Sequence, residues 1–351
     1  MPHPLPHVAG VLTTAQVSQT ADAIARTQLA SGAIPWFEGG HTDPWDHVQA
    51  AMGLSAAGRL DEAARAYEWS RSAQRDDGSW AIRYDGEVVT DAHVDSNFCA
   101  YVATGVWHHW LVTGDRTFAE TMWPVVERGL DAALTMQRDD GAVVWASADG
   151  RLVSEALVTG NASIHLSLRC GVALAELVGA GRPDWELAAA RLRHALDEHP
   201  GLFVGKPHSM DWYYPVLGGA MSADAAGARL DERWDDYVVP GRGVRCVTPN
   251  NWVTGAETCE LVLALDVVGR ADDAVALLAD MQHLRDPDGS YWTGLVYEDD
   301  VRWPVERTTW TAATVVLAAD ALSRTTPGSG LFRGTGLPLL RDWKVETPCP
   351  L

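Results

Sequence analysis

Four stretches of the chain carry apolar residues at every third or fourth position, with charged residues between them. This spacing places the apolar side chains on one face of a helix and leaves the opposite face polar. The stretches are LDEAARAYEWSRSAQ (60–74), FAETMWPVVERGLDAALTMQ (118–137), PDWELAAARLRHALDEH (183–199) and RADDAVALLADMQ (270–282). We therefore expect amphipathic helices that pack on one side only.

Six further stretches are apolar on nearly every side, which is typical of helices buried within a fold. They are 43–58, 95–114, 159–179, 211–221, 254–269 and 306–322. Several of them close on Gly followed by a polar residue, which is the usual end of a helix. We expect these six helices to lie inside the amphipathic ones.

The two kinds of helix alternate, and the apolar ones recur roughly every 50 residues, as in a repeat architecture. Six such helical hairpins predict an all-α fold, the (α/α)6 barrel, interrupted only by short β-type pieces such as the one at 79–89. An open solenoid is the alternative, but six buried inner helices favour a closed ring. Because no linker or composition break divides the chain, we expect one toroid domain over 1–351, with a core at about 15–325 and a C-terminal tail at 326–351.

A turn phrase recurs after the amphipathic helices. It consists of Gln, then a turn containing Gly, then Trp, and its copies are QRDDGSW (74–80), QRDDGAVVW (137–145), QHLRDPDGSYW (282–292) and, more weakly, QLASGAIPW (28–36). The Gln is expected to end the outer helix, the Gly to make the turn and the Trp to pack back onto the core. We interpret the phrase as structural.

Composition narrows the class of function. The net charge of −20, with no block of Lys or Arg, argues against nucleic acid as a partner. The chain has no apolar run of about 18 residues, so we expect no membrane span. Its N-terminus does not resemble a secretory signal. Five scattered cysteines indicate reduced thiols and a cytoplasmic protein; they are Cys99, Cys170, Cys246, Cys259 and Cys349.

Acidic residues mark the connections that lead into the inner helices, which should meet at one mouth of the ring. Asp43 precedes Pro44 in the pattern of a helix N-cap, and Asp46 lies one turn further on the same face, where capping does not need it. Glu257 and Glu260 lie in an otherwise apolar helix. The helix dipole would favour Glu257 as an anion, whereas burial among Trp side chains would make it a general acid.

An acid-lined hollow rich in Trp suits a carbohydrate, because indole rings stack on sugar faces and carboxylates bind hydroxyl groups. The chain has 16 Trp against eight Tyr and five Phe. Cleavage of a glycosidic bond needs a protonated carboxyl and an ionised carboxylate on opposite sides of that bond. We predict that Glu257 protonates the leaving oxygen and that Asp46, or Asp43 beside it, activates water.

Further residues of the six connections are predicted to hold the sugar. They are Trp45, His47, His93, Asp95, Asp211, Trp212, Tyr213, Trp252, Glu260, Glu306, Arg307 and Trp310. Glu260 has an alternative interpretation as a structural acid bonded to Arg307 or to a backbone group. The phosphate-binding motifs G-x-x-x-x-G-K-[ST] and G-x-G-x-x-G are both absent. We expect no cofactor and no metal site.

The segment WHHWLVTGDRTFAETMWPVVERGLDAALTMQRDDG (107–141) resembles the six-hairpin glycosidases, which include glucoamylases and trehalases. That resemblance implies an (α/α)6 barrel and, usually, inversion by a pair of carboxyl groups. Three other segments, 32–48, 209–221 and 300–330, resemble an actinobacterial family often labelled prenyltransferase. Its members are similar to the hydrolase of α-1,4-linked methylmannose polysaccharide, which implies an endo-acting α-mannosidase and a neutral oligo- or polysaccharide as partner.

Three other functions remain open at the level of sequence. The phrase from Gln74 to Trp80 also fits squalene–hopene cyclases, but the D-x-D-D and D-D-x-x-D motifs of terpene cyclases and prenyltransferases are absent. A glycan-binding module would keep the Trp walls without needing the acids. A sugar epimerase would use histidines as acid and base, and the candidates are His41, His47, His93 and His165.

Overall fold

The computed structural model describes residues 3–148 and 150–338, which form thirteen α-helices and ten short strands. The last part of the expected C-terminal tail, 339–351 with Cys349, lies outside the described residues. The helices are α1 (Thr14–Thr27), α2 (Pro44–Ala56), α3 (Leu60–Ala73), α4 (Ser96–Thr113), α5 (Arg116–Leu134), α6 (Val158–Val178), α7 (Pro183–Glu198), α8 (Ser209–Leu217), α9 (Ala223–Glu232), α10 (Trp234–Tyr237), α11 (Gly255–Val267), α12 (Ala271–Asp280) and α13 (Thr309–Ser323).

Six helices form a closed ring. α2 packs against α4, α4 against α6, α6 against α8, α8 against α11, α11 against α13, and α13 returns to α2. These are the six apolar stretches of the sequence, and most of their side chains are buried. Outside the ring, α1, α3, α5, α7, α9 and α12 each pack against a ring helix. Of these outer helices, α1 and α9 were not among the predicted segments.

The strands all lie at one end of the ring, in the connections that lead into the ring helices. They are β1 (Arg83–Asp85), β2 (Val88–Asp91), β3 (Val94–Asp95), β4 (Ala146–Ala148), β5 (Arg151–Leu152), β6 (Val238–Val239), β7 (Gly243–Arg245), β8 (Trp252–Thr254), β9 (Gly294–Val296) and β10 (Val301–Arg302). They pair as β1-β2, β3-β4-β5 and an antiparallel sheet in the order β10-β9-β8-β7-β6. The predicted β-type piece at 79–89 contains β1 and the start of β2. The five-stranded sheet was not predicted, because strands of two or three residues have no readable periodicity.

The recurrent Gln joins neighbouring outer helices. At the end of α3, the side-chain amide of Gln74 donates to the carbonyl of Gly78 in its own turn, at 3.0 Å, and to that of Val125 in α5, at 2.9 Å. Gln28 and Gln137 each make the same pair of bonds. Their acceptors are Gly32 and Glu62 for Gln28, and Gly141 and Ala188 for Gln137. We call each of these three glutamines, with its pair of hydrogen bonds, a glutamine clamp.

The turn glycine of each clamp has two reasons to be glycine. Gly78 has a φ of +84°, which residues with a Cβ rarely adopt, and a Cβ there would collide with the backbone carbonyl of Arg128 in α5. Trp80 is buried and its Nε1 donates to the carbonyl of Ser70, so the phrase is structural, as predicted. The copy at Gln282 differs, because its amide donates to Leu278 in its own helix.

The ring closes through a contact that has no room for side chains. Gly53 of α2 faces Ala313 of α13, and a Cβ on Gly53 would lie 2.8 Å from the Cα of Ala313. Gly255, at the start of α11, also faces α13, and a Cβ there would collide with the side-chain methyl of Thr311. Helices that approach this closely gain dispersion contacts along their length, and one added methyl group forces them apart.

Gly53→Ala is therefore expected to lower the stability of the protein by about 1–3 kcal/mol, as overpacking of a filled core does. Gly227→Ala is the matched control, because Gly227 lies in outer helix α9 and a Cβ there would have nothing within 4 Å. The control should gain about 0.5–1 kcal/mol from better helix propensity. Thermal unfolding of both variants tests this, and equal midpoints would contradict the close packing at Gly53.

Candidate active site

Three cavities open at the mouth of the ring, where the ring helices begin. Cavity A, of about 390 Å³, is lined by Asp43, Asp46 and Trp36, among others. Cavity B, of about 180 Å³, shares Trp45 and Phe98 with cavity A, so the two adjoin. Cavity C, of about 720 Å³, lies beside α1 and the connection that leads into α13.

Asp43 and Asp46 form a carboxyl pair on the wall of cavity A. Asp43 is the N-cap of α2, as predicted, and its Oδ1 accepts the backbone N–H of Asp46 at 2.9 Å. The two side chains are also hydrogen-bonded to each other, and both are buried. One residue thus caps the helix and holds the carboxyl of the other in place.

The Asp46 carboxyl holds its proton far more tightly than an ordinary aspartic acid. Burial is the largest cause of its raised pKa, and the charge of Asp43 and the hydrogen bond from it act in the same direction. The charges of Glu260 and Glu257, on the opposite side of α13, raise this pKa further. Neighbouring carboxyls in a buried site are not all ionised together, because each negative charge raises the pKa of the others.

Glu257 lies in the first turn of α11 and is only 4% exposed. It forms a hydrogen bond with the thiol of Cys246, whose pKa is raised by burial and by the charge of Glu257. The N-terminus of a helix favours a negative charge at this position. Glu257 is not among the residues that line cavity A, so it stands behind the cavity wall in this structure.

Glu260 is completely buried one turn deeper and has hydrogen-bond donors on both carboxyl oxygens. Tyr213 donates to it at 2.6 Å, and Gln49 and Tyr214 donate at 3.3 and 3.4 Å. Burial raises its pKa to about 8, and the hydrogen bond from Tyr213 opposes this rise. The expected alternative partner, Arg307, is wrong, because Arg307 instead pairs with Asp286 and Asp288.

His47 and Trp212, which were predicted to bind sugar, are buried in the core. The Nδ1 of His47 accepts the N–H of Ile34 at 3.0 Å, and its Nε2 therefore donates to the carbonyl of Ala66 at 2.9 Å. Burial lowers the pKa of His47 to about 4, so it is neutral. Trp212 stacks on Tyr237 in the core and lines none of the three cavities.

Two predicted acids line cavity B. Asp95 is the N-cap of α4, and burial raises its pKa to about 7. Asp211 accepts the hydroxyl of Thr159 at 2.6 Å and the backbone N–H of Lys206 at 2.7 Å, so both of its oxygens hold neighbouring connections together. Lys206 also lines this cavity, and the sequence offered no signal for it because it is a single Lys in a loop.

The remaining predicted residues surround the mouth. Glu306 accepts the indole N–H of Trp36 at 3.0 Å, and Trp310 lies 5.7 Å from the Trp36 ring. The Nε1 of Trp252 donates to the carbonyl of Trp303 at 2.8 Å. The Nδ1 of His93 lies 2.9 Å from the Oδ1 of Asp91. The residues that sequence reasoning missed as part of the site are Trp36, Gln49, Phe98, Tyr101, Lys206 and Tyr214.

In residues 3–148 and 150–338, no three His, Cys, Asp or Glu side chains are grouped to hold a metal ion. Within the same ranges, no helix combines the length and the apolar character that a bilayer crossing requires.

Comparison with known proteins gives a relative of nearly equal length. The chain is 59% identical over 346 residues to the MMP endo-(1,4)-3-O-methyl-α-D-mannosidase of Mycolicibacterium hassiacum, covering 98% of this chain and 96% of the relative. A solved wild-type glycosidase shares the fold, with a TM-score of 0.68 at 17% identity over 93% of this chain and 98% of that one. A D-mannose isomerase also shares it, with a TM-score of 0.67 at 11% identity over 87% and 96%. No family model matches the chain.

The raised pKa of Glu260 makes stability depend on pH. The folded protein keeps the Glu260 proton up to about pH 8, whereas the unfolded chain loses it near pH 4.5, so the folded state is favoured below that range and loses stability as pH rises through it. Glu260→Gln should therefore show a smaller fall in melting temperature between pH 5 and 8 than the wild type. Glu198→Gln, at an exposed position on α7, serves as the control. Identical slopes in Glu260→Gln and the wild type would contradict the raised pKa.

Proposed function

Because this chain belongs to the family of the MMP endo-(1,4)-3-O-methyl-α-D-mannosidase, we propose that it cleaves α-1,4 bonds within chains of 3-O-methylmannose. The chain is a glycoside hydrolase. The observation that carries the proposal is the 59% identity across nearly the whole of both chains. A neutral glycan also suits a protein with a net charge of −20, since it is not repelled.

The scaffold is an (α/α)6 barrel in one domain. The closed ring of six helices, each with an outer partner, supports this architecture, and so does the agreement in fold with solved glycosidases. In such a barrel the connections that precede the inner helices share one mouth. Cavities A, B and C all lie there, so the substrate binds across the helix N-termini.

Asp46 is the general acid. Its raised pKa, caused by burial and the neighbouring carboxyls, favours the protonated form that a general acid needs to donate to the leaving oxygen. Asp43 cannot be the second carboxyl of an inverting pair, because its hydrogen bond to Asp46 leaves no room for a water between them. Asp43 instead orients Asp46.

Glu257 is the general base. It takes a proton from water, which attacks the anomeric carbon on the face opposite to Asp46 and inverts its configuration. Glu260 fits this role poorly, since its oxygens already accept bonds from Tyr213, Tyr214 and Gln49. This assignment reverses the one expected from the sequence, where Glu257 was the acid. For Glu257 to act, the glycan must reach it past the wall of cavity A.

The cavity walls suit the faces of sugar rings. Trp36, Trp45 and Phe98 supply flat apolar surface to cavity A. Asp95 and Lys206 supply polar groups for hydroxyls in cavity B. A histidine-based epimerase is disfavoured, because His47 and His165 each use a ring nitrogen for a hydrogen bond to a backbone carbonyl within the core.

Asp46→Asn and Glu257→Gln should each lower kcat for methylmannose oligosaccharides by at least about 10²-fold. Mass spectrometry of the products measures cleavage, and Glu198→Gln is the exposed control. The two roles separate on α-mannosyl fluoride, whose leaving group needs no protonation. Asp46→Asn should retain activity on it and Glu257→Gln should not.

The reverse pattern on the fluoride would restore the assignment expected from the sequence, with Glu257 as the acid. Proton NMR of the first product formed gives its anomeric configuration. Retention would contradict the inverting mechanism. Absence of any cleavage by the wild type, with saccharide still bound, would contradict the hydrolase itself.

A further inference from the structure

A hydrogen-bonded pair of side chains connects the wall of cavity C to the wall of cavity A. Trp36 lines cavity A, and Glu306, which accepts its indole N–H at 3.0 Å, lines cavity C. Cavity B adjoins cavity A on the side of Trp45 and Phe98. The three cavities therefore form a row with the Asp43–Asp46 pair in the middle member.

The lining of cavity C combines apolar surface with a free carboxylate. Phe37, Trp292 and Val305 provide the apolar part. Glu38 also lines it, and among the residues that the structure describes it has no hydrogen-bond or ion-pair partner. Asp288, by contrast, is already paired with Arg26 and Arg307. One carboxylate thus remains to accept hydroxyl groups from a ligand.

Exposed apolar side chains concentrate around the mouth. Within residues 3–148 and 150–338, eight large apolar side chains are exposed, and all but Leu60 lie in connections that lead into ring helices. Val305 is the most exposed, at 82%, and Trp303 nearby is 52% exposed. Removal of such side chains from water by a ligand is favourable and strengthens the binding of that ligand.

We infer that cavity C binds the part of the glycan that continues beyond the catalytic cavity, with Phe37, Trp292 and Val305 contacting its O-methyl groups. The inference rests on the proposed function. An enzyme that cuts within a chain must hold sugar units on both sides of the cut, and cavities B and C flank cavity A. Methyl ethers are apolar and cannot donate hydrogen bonds, so they match a wall of Val, Phe and Trp. Glu38 accepts the hydroxyls that remain free.

The test compares the kcat/KM for methylmannose polysaccharide with that for a short methylmannose oligosaccharide that fills cavities A and B but does not reach cavity C. In Val305→Ser this ratio should fall about fivefold, because the variant loses the favourable burial of one apolar side chain. In Leu60→Ser, which changes an exposed Leu at the opposite end of the ring, the ratio should stay at the wild-type value. A ratio that is equal in the two variants would overturn the inference.

Long unmethylated α-1,4-mannan separates methyl recognition from simple chain length. Val305→Ser should leave the ratio for this substrate unchanged, whereas Glu38→Ala should lower the ratio for both long substrates. An equal fall with methylated and plain chains in Val305→Ser would overturn the contact with methyl groups. If the wild type cleaves no substrate, the proposed function fails, which is distinct from a failure of the ratio alone.

Binding without cleavage gives an independent measurement. Amide hydrogen exchange of Glu257→Gln is compared with the polysaccharide and with the short oligosaccharide. The polysaccharide should add protection at 37–40 and 288–292, next to cavity C. Equal protection of these segments by the two glycans would overturn the inference.

Discussion

The glutamine clamp sets the frame on which the other features depend. Each clamp donates one hydrogen bond to a carbonyl in its own turn and one to a carbonyl of the next outer helix, so α1, α3, α5 and α7 are linked in series. Dispersion contacts between helices tolerate sliding, but amide-to-carbonyl bonds do not. Because each of these outer helices packs against a ring helix, the clamps also constrain the positions of α13, α2, α4 and α6.

The closed ring explains how residues far apart in the chain influence one another. Asp46 and Glu257 begin different ring helices, and their carboxyls still act on the same proton equilibrium. Asp43 and Asp95 are helix caps and cavity walls at once. A capping carboxylate is held by backbone N–H groups, which makes it a rigid group to place beside a substrate. The demands of helix capping and of the site thus coincide at the mouth.

The apolar periodicity was enough to locate the ring helices, because burial on all sides leaves a direct trace in composition. The bounds of α2 and α4 lie within two residues of those expected. The partners of Glu260 could not be predicted, since Tyr213 and Gln49 come from other ring helices and only the closed ring brings them together. The proposed direction of proton transfer differs from the one expected from the sequence for a related reason. It depends on which carboxyl has the most carboxyl neighbours, and that is a property of the packing.

The buried protonated carboxyls also tie folding to the surrounding solution. Glu260 keeps a proton in the folded chain that it would lose when exposed at neutral pH. The raised pKa of Asp46 acts in the same direction. Unfolding in neutral solution therefore releases protons, and the buffer takes them up with its own heat of ionisation. A calorimetric enthalpy for this protein thus contains a contribution that changes from one buffer to another. Its intrinsic heat of unfolding is obtained only by extrapolation to a buffer with zero ionisation heat.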